Sequence, residues 1–227
     1  MLAHRAMKED MCPSARTIWN TADQLDTADT MCRAGGLGLT QEALDFCGFA
    51  PGSRLIDIGC GKGATVRYLR AAGFDVAGLD CDPAIIEQAG PHCLPGDSSC
   101  LPYQAESLDG LFFECSFSQM EAHHNVLAEA RRVLKAGGRL VISDLYFRNE
   151  RHDGFLLNRG GWQKIITGAA FTILFFEDRS NGLAEFAAQL LWQHGQAGLK
   201  KLCGCDIEEL KAGRCGYFLL IARKGEN

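Results

Sequence analysis

An apolar, β-prone run, Leu55-Ile56-Asp57-Ile58, leads into glycines at alternate positions, Gly59, Gly61 and Gly63. A helical pattern at Ala64, Val66 and Leu69 follows at once. Glycines at such a turn let backbone N–H groups approach a ligand with no Cβ in the way. The helix they open offers unsatisfied N–H donors and the positive end of its dipole. A strand, a glycine turn and a helix in that order predict a nucleotide-type loop at the edge of an α/β sheet. Little else in the chain constrains the fold as strongly.

Two templates fit the loop. Gly59-x-Gly61-x-x-Ala64 satisfies the dinucleotide fingerprint, so an NAD(P)-linked oxidoreductase stands as an alternative. Asp57, Gly59, Gly61 and Gly63 also satisfy Asp-x-Gly-x-Gly-x-Gly. Asp57 discriminates between them: a carboxylate this close repels a pyrophosphate and attracts an ammonium.

The rest of the chain repeats the strand-to-helix alternation. Arg54–Ile58, Phe74–Leu79, His92–Leu94, Leu108–Cys115, Arg139–Leu145, Phe171–Phe176 and Gly216–Arg223 read as strands. Asp82-Pro83 is a good helix start, an Asp N-cap followed by Pro at the first helical position. Apolar spacing marks helices over Ala64–Ala72, Met120–Lys135 and Gly161–Gly168, and around Leu183–Leu191. Upstream, Ser14–Cys32 is helix-compatible, Gly35-Gly36 closes it, and Thr40 is a fair N-cap for a helix through Ala43, Leu44 and Cys47. Residues 195–215 resist placement. The pattern predicts a Rossmann-like, mainly parallel sheet of seven strands covered by helices on both faces. Residues 1–39 are expected to form a helical extension or lid, and 40–227 the main domain.

Open α/β sheets bind ligands beyond the C-terminal ends of their strands. Acids recur there: Asp57 and Asp80 end the first and second strands, Asp97-Ser98 follow the third, and Glu114-Cys115 end the fourth. Acids at successive strand ends are costly unless something cationic or hydroxylated sits among them.

With Leu-Ile-Asp57-Ile-Gly59-Cys60-Gly61, Gly78-Leu79-Asp80, Gly96-Asp97-Ser98-Ser99-Cys100-Leu101-Pro102-Tyr103, Ser107-Leu108-Asp109-Gly110 and Ala128-Glu129-Ala130-Arg131-Arg132-Val133-Leu134-Lys135-Ala136-Gly137-Gly138-Arg139-Leu140 in this order, residues 40–147 resemble the class I methyltransferases that use S-adenosylmethionine. The branch most similar is that of ubiquinone and menaquinone biosynthesis methyltransferases. Ala136 stands where Pro is usual, and Cys81-Asp82 replaces a common x-Ser. The resemblance implies S-adenosylmethionine as cofactor, S-adenosylhomocysteine as product and a small-molecule acceptor. It implies a cofactor site of Asp57, Gly59, Cys60, Gly61, Gly63, Asp80, Cys81, Asp97, Ser98 and Glu114. Asp80 then takes the ribose, and Asp97 with Ser98 meets the adenine. A fold member that binds the cofactor without turnover is a further reading.

Catalytic residues are not legible, because alignment on an already electrophilic methyl needs no dedicated nucleophile in the protein. Glu114, His123, His124, Asp144 and Tyr146 are candidates to act on the acceptor. Trp19 and Phe117 are candidate pocket walls. The formal net charge of −5 argues against a nucleic-acid partner. The longest uncharged stretch, Ile165–Phe176, falls short of the roughly 20 residues that span a bilayer. No secretory pattern opens the chain, so a cytoplasmic protein without membrane insertion is expected, its oligomeric state open. Eleven cysteines with no C-x-x-C pair argue against zinc-type spacing. Cys203, Cys205 and Cys215, with Cys12 or Cys32, raise a soft-metal or arsenite-type alternative. The default reading is buried thiols and no metal.

Overall fold

The computed structural model describes residues 33–148, 157–203, 208 and 215–225. Helix α1 (Gly36–Cys47) precedes β1 (Arg54–Ile58), α2 (Ala64–Ala71), β2 (Asp75–Asp80), α3 (Pro83–Ala89) and β3 (Cys93–Pro95). Then come β4 (Leu108–Glu114), a 3-10 turn (Phe117–Gln119), α4 (His123–Val133) and β5 (Leu134–Phe147). The chain closes with α5 (Arg159–Gly168), β6 (Phe171–Asp178), α6 (Ser180–Cys203) and β7 (Cys215–Lys224). Gly195 interrupts α6 with non-helical backbone, inside the region that sequence periodicity leaves unplaced.

The strands form one 7-stranded sheet in the order β3-β2-β1-β4-β5-β7-β6. The pairs from β3 to β5 are parallel, and β7 runs antiparallel to both β5 and β6. The strand order reverses between β1 and β4, which creates the crevice where such sheets take ligands.

Strand alternation divides the core into two layers. Leu55 and Phe112 face α1 and α2, with Leu44, Val66, Leu69 and Leu183. Ile56, Ile58, Leu111 and Phe113 face α4 and α5, with Leu127, Ala130, Trp162 and Ile166. By the same period of two, Asp57 follows Leu55 and Glu114 follows Phe112, so both acids lie on the α1–α2 side.

Thr40 does not start its helix. Gly35, at φ 77°, is the N-cap, Leu39 N–H already donates to its carbonyl at 3.2 Å, and Thr40 sits buried in the helix body. The expected division between residues 39 and 40 therefore falls inside α1. Trp19, Cys12 and Cys32 lie outside the described residues, as does the expected helix over Ser14–Cys32.

Candidate cofactor site

The glycine loop is bound to the end of β2 by its own backbone. Gly59 and Cys60 N–H both donate to the Leu79 carbonyl, at 2.7 and 3.1 Å, and Gly63 N–H donates to the Cys60 carbonyl at 2.9 Å. Asp80 Oδ2 accepts the Gly61 N–H at 2.9 Å and Oδ1 accepts the Asp82 N–H at 3.0 Å. Asp57, the glycine loop and Asp80 are thus one structural unit.

Two glycines are required by geometry. Gly59, at φ 74°, lies where a Cβ would come within 2.3 Å of Ser116 Cβ, and the Ser116 hydroxyl donates to the Ile58 carbonyl at 2.6 Å. Gly61, at φ 52°, faces the other way: a Cβ there would meet nothing within 4 Å. The loop is closed against β4 on one side and open on the other. No side chain caps α2 beyond it, which leaves the N-terminal dipole of that helix to a ligand.

Beneath the loop lies a buried polar network. Arg33 Nη1 ion-pairs with Glu114 Oε2, and Arg33 Nη2 donates to the Thr40 hydroxyl. Thr40 donates to Glu114 Oε1 at 2.9 Å and Thr65, in the first turn of α2, donates to Oε2 at 2.6 Å. Asp57 is 3% exposed, and its Oδ1 has no hydrogen-bond partner; neither does Arg33 Nε. Burial, then the nearby Glu114 charge, pushes the Asp57 carboxyl well above the usual carboxylate range, and Arg33 only partly opposes them. Burial also raises Asp80; the N–H groups of Asp82, Gly61 and Cys81 oppose the rise and the Asp82 charge adds to it. The guanidinium pairs with Glu114 and only partly offsets the second buried carboxylate, Asp57. Arg33, Thr40 and Thr65 were not among the residues expected from sequence.

Asp97, the expected adenine contact, sits at an exposed turn, where Oδ1 takes the Ser99 N–H at 2.7 Å and the Ser99 hydroxyl at 2.8 Å. Ser98 and Cys81 are half-buried beside it and beside Asp80. Cys60 is buried.

The candidates for acting on the acceptor are differently placed. Asp144 is fully buried and accepts the Ser118 N–H at 2.8 Å, the Ser118 hydroxyl at 2.7 Å and the Leu145 N–H at 2.7 Å. Burial outweighs these donors and raises its carboxyl to about 6. Tyr146 donates to Asp178. His123 stacks on Phe117 at 4.8 Å, its Nε2 is 3.1 Å from the Phe117 carbonyl, and burial lowers its pKa. His124 is exposed.

Phe117 is no pocket wall. Its ring is fully buried among Phe113, Trp162 and His123. Phe117→Ala is expected to cost about 3–5 kcal/mol of unfolding free energy in a urea titration. A ring lining an open pocket would instead leave stability within roughly 0.5 kcal/mol of wild type.

Comparison with known proteins supplies the family. Residues 56–142, which hold the loop, Asp80, Asp97 and Glu114, match the family described as "Methyltransferase domain". Over these residues the chain resembles the class I S-adenosylmethionine-dependent methyltransferases. The chain is 30% identical over 107 residues to a demethylmenaquinone methyltransferase of Renibacterium salmoninarum, covering 44% of the chain and 45% of that protein. It is 33% identical over 175 residues to a malonyl-[acyl-carrier protein] O-methyltransferase of Erwinia pyrifoliae, covering 71% and 64%. The match thus spans less than half the length of the first relative and just under two thirds of the second. In fold it is similar to the geranyl diphosphate C-methyltransferase of Streptomyces coelicolor A3(2), with a TM-score of 0.71 and 17% identity over 82% of this chain and 78% of that one.

Neither the oxidoreductase nor the arsenite-type alternative gains support from these relatives. Cys215 is a buried residue of the β7 strand, Cys205 lies outside the described residues, and no group of three metal-binding side chains occurs among the described residues. No described helix is long and apolar enough to cross a membrane.

Proposed function

We propose that the protein transfers the methyl group of S-adenosylmethionine to a small organic acceptor by in-line displacement. The observation that carries this is Asp57 Oδ1, a buried carboxylate oxygen without a partner, beside an open glycine loop. A ligand ammonium completes that site; a pyrophosphate worsens it.

Each part of the cofactor has chemistry to meet it. Asp57 takes the ammonium. Asp80 uses two of its roughly four lone-pair positions on backbone N–H groups and offers the others to the ribose hydroxyls. Asp97, Ser98 and Cys81 border the base. Arg33, whose Nε is orphaned, suits the methionine carboxylate, with Thr65 and the start of α2 beside it. Glu114 holds Arg33 in place from below. Gly59, Cys60, Gly61 and Gly63 give the backbone its close approach. When bound, the cofactor supplies a methyl group on a positively charged sulfur, and transfer leaves a neutral thioether.

The protein's own task is then to align and exclude water, which contributes roughly 7–11 kcal/mol to a reaction of this kind. Asp144 and Glu114 are engaged by internal donors, so neither is offered as a general base. Burial lowers the His123 pKa, and this side chain is the candidate to receive a proton where the acceptor carries one. Arg33 and Ala34 are buried against the main domain, which supports residues 1–39 as its cover. The relatives act on demethylmenaquinone and malonyl-[acyl-carrier protein] by name, and the formal charge of −5 favours a small acceptor over a nucleic acid. Eleven cysteines suit the reducing cytoplasm.

Calorimetry against S-adenosylhomocysteine and NADPH tests the reading, with binding expected for the first and none for the second. The reverse result overturns it. Asp80→Asn is expected to weaken S-adenosylhomocysteine about 10- to 100-fold, since hydrogen bonds to a charged group contribute about 1.5–3 kcal/mol.

A further inference from the structure

Gly78, in the middle of β2, pairs with Asp57 on one side and Cys93 on the other. Its missing side chain leaves a space that sulfur fills. A Cβ on Gly78 would lie 2.6 Å from Cys60 Sγ and 2.9 Å from Cys93 Sγ, and one on Gly63 would lie 2.8 Å from Cys93 Sγ. Cys60, from the glycine loop, and Cys93, from β3, are therefore in side-chain contact across the glycine, although they stand far apart in the chain. We propose that Cys60 and Cys93 form an oxidisable dithiol whose disulfide pulls the glycine loop out of its cofactor-binding position.

The two thiols are chemically unequal. The neighbouring Cys60 thiol lowers the Cys93 thiol, assisted by the Arg67 charge and opposed by burial; Cys93, with burial, raises Cys60, whose own Sγ lies 3.7 Å from the Gly61 carbonyl. Cys93 is thus the nucleophile and Cys60 the resolving thiol. With hydrogen peroxide as oxidant, Cys93 sulfur attacks one peroxide oxygen. The O–O bond breaks, giving a sulfenic acid on Cys93 and hydroxide, which takes the Cys93 proton to become water. Cys60 sulfur then attacks Cys93 sulfur and the S–O bond breaks. The departing hydroxide leaves with the Cys60 proton as a second water. Two thiols are oxidised to one disulfide while the peroxide is reduced to water.

Cys60 is the pivot of the loop, its N–H on Leu79 and its carbonyl on Gly63. Drawing its sulfur into a bond of about 2.05 Å to Cys93 moves the segment that carries Gly61 against Asp80. The consequence for the cofactor rests on the function proposed above; the sulfur chemistry does not.

The test exposes the reduced full-length protein to hydrogen peroxide, blocks remaining thiols with iodoacetamide and maps the peptides by mass spectrometry. A linked Cys60–Cys93 peptide is expected, with S-adenosylhomocysteine affinity reduced about tenfold or more and restored by dithiothreitol. Cys93→Ser should keep the affinity of the reduced protein and lose the response to peroxide. Recovery of both cysteines as alkylated thiols overturns the proposal, as does a linked peptide with unchanged affinity. Mapping of the wild type decides the matter even if Cys93→Ser fails to fold. Failure of the reduced protein to bind S-adenosylhomocysteine overturns the cofactor reading, whereas absence of the linked peptide overturns the dithiol.

Discussion

Asp57→Asn is expected to make the ligand-free protein more stable and to weaken its affinity for S-adenosylhomocysteine about 10- to 100-fold. Burial and the neighbouring Glu114 charge hold the Asp57 carboxyl well above its usual range, so the folded chain prefers the uncharged form. A neutral residue of the same shape is therefore expected to stabilise the empty protein. The ammonium of the ligand then loses its charged acceptor, and affinity falls about 10- to 100-fold. The pH dependence follows from the direction of the shift. A raised carboxyl favours folding fully below its unfolded value near 4 and loses that contribution as pH rises towards the raised folded value. The stability gap between Asp57→Asn and wild type should thus open from about pH 4 upward and narrow below it. Urea titrations across pH 4 to 8 measure the gap. A less stable variant at neutral pH, or one that binds as tightly as wild type, defeats the assignment of Asp57.

The placement of the glycine loop and of the acids around it was legible because its signals are local. Asp57 precedes its glycines by two residues, Asp80 ends an apolar run, and Asp82-Pro83 start a helix; the structure bears out each of these placements. The parallel order followed from alternation of strand and helix. What was not legible depends on register between distant segments. Arg33, Thr40, Thr65 and Glu114 converge only because α1 and α2 cover the same face of β1 and β4. In sequence, Thr40 looks like a cap and Glu114 like an open strand end. Phe117 follows the fourth strand as a pocket residue would, yet the 3-10 turn rolls its ring into the core. Asp144 ends an apolar run much as Asp80 does, but Ser118 closes over it. The contact of Cys60 with Cys93 requires Gly78 to be both a strand residue and the one between them. None of these follows from periodicity.

The same network makes Glu114→Ala the substitution with the largest expected cost to stability. The Arg33 and Glu114 side chains are 6% and 5% exposed, so this ion pair is not screened as a surface pair is. Removing one member of a buried pair leaves the other charged and desolvated, typically at a cost of about 3–5 kcal/mol. Here the Thr40 and Thr65 hydroxyls also lose their acceptor. Asp57 softens the effect. With Glu114 gone, it no longer feels a like charge and becomes the only one of the two carboxylates left facing Arg33, so its titration should move back towards the ordinary range. Glu114→Gln, which keeps hydrogen-bonding capacity but not the charge, should fall between wild type and Ala. Replacing both partners, Arg33→Met with Glu114→Leu, removes the unpaired charge as well as the pair, and such exchanges are often neutral or stabilising. The double variant is therefore expected to recover most of the stability that Glu114→Ala loses, while binding S-adenosylhomocysteine poorly for want of the guanidinium. Urea midpoints for Arg33→Met alone, Glu114→Leu alone and the double variant close the cycle. Simple additivity of the two losses would mean that Arg33 and Glu114 do not act as a pair.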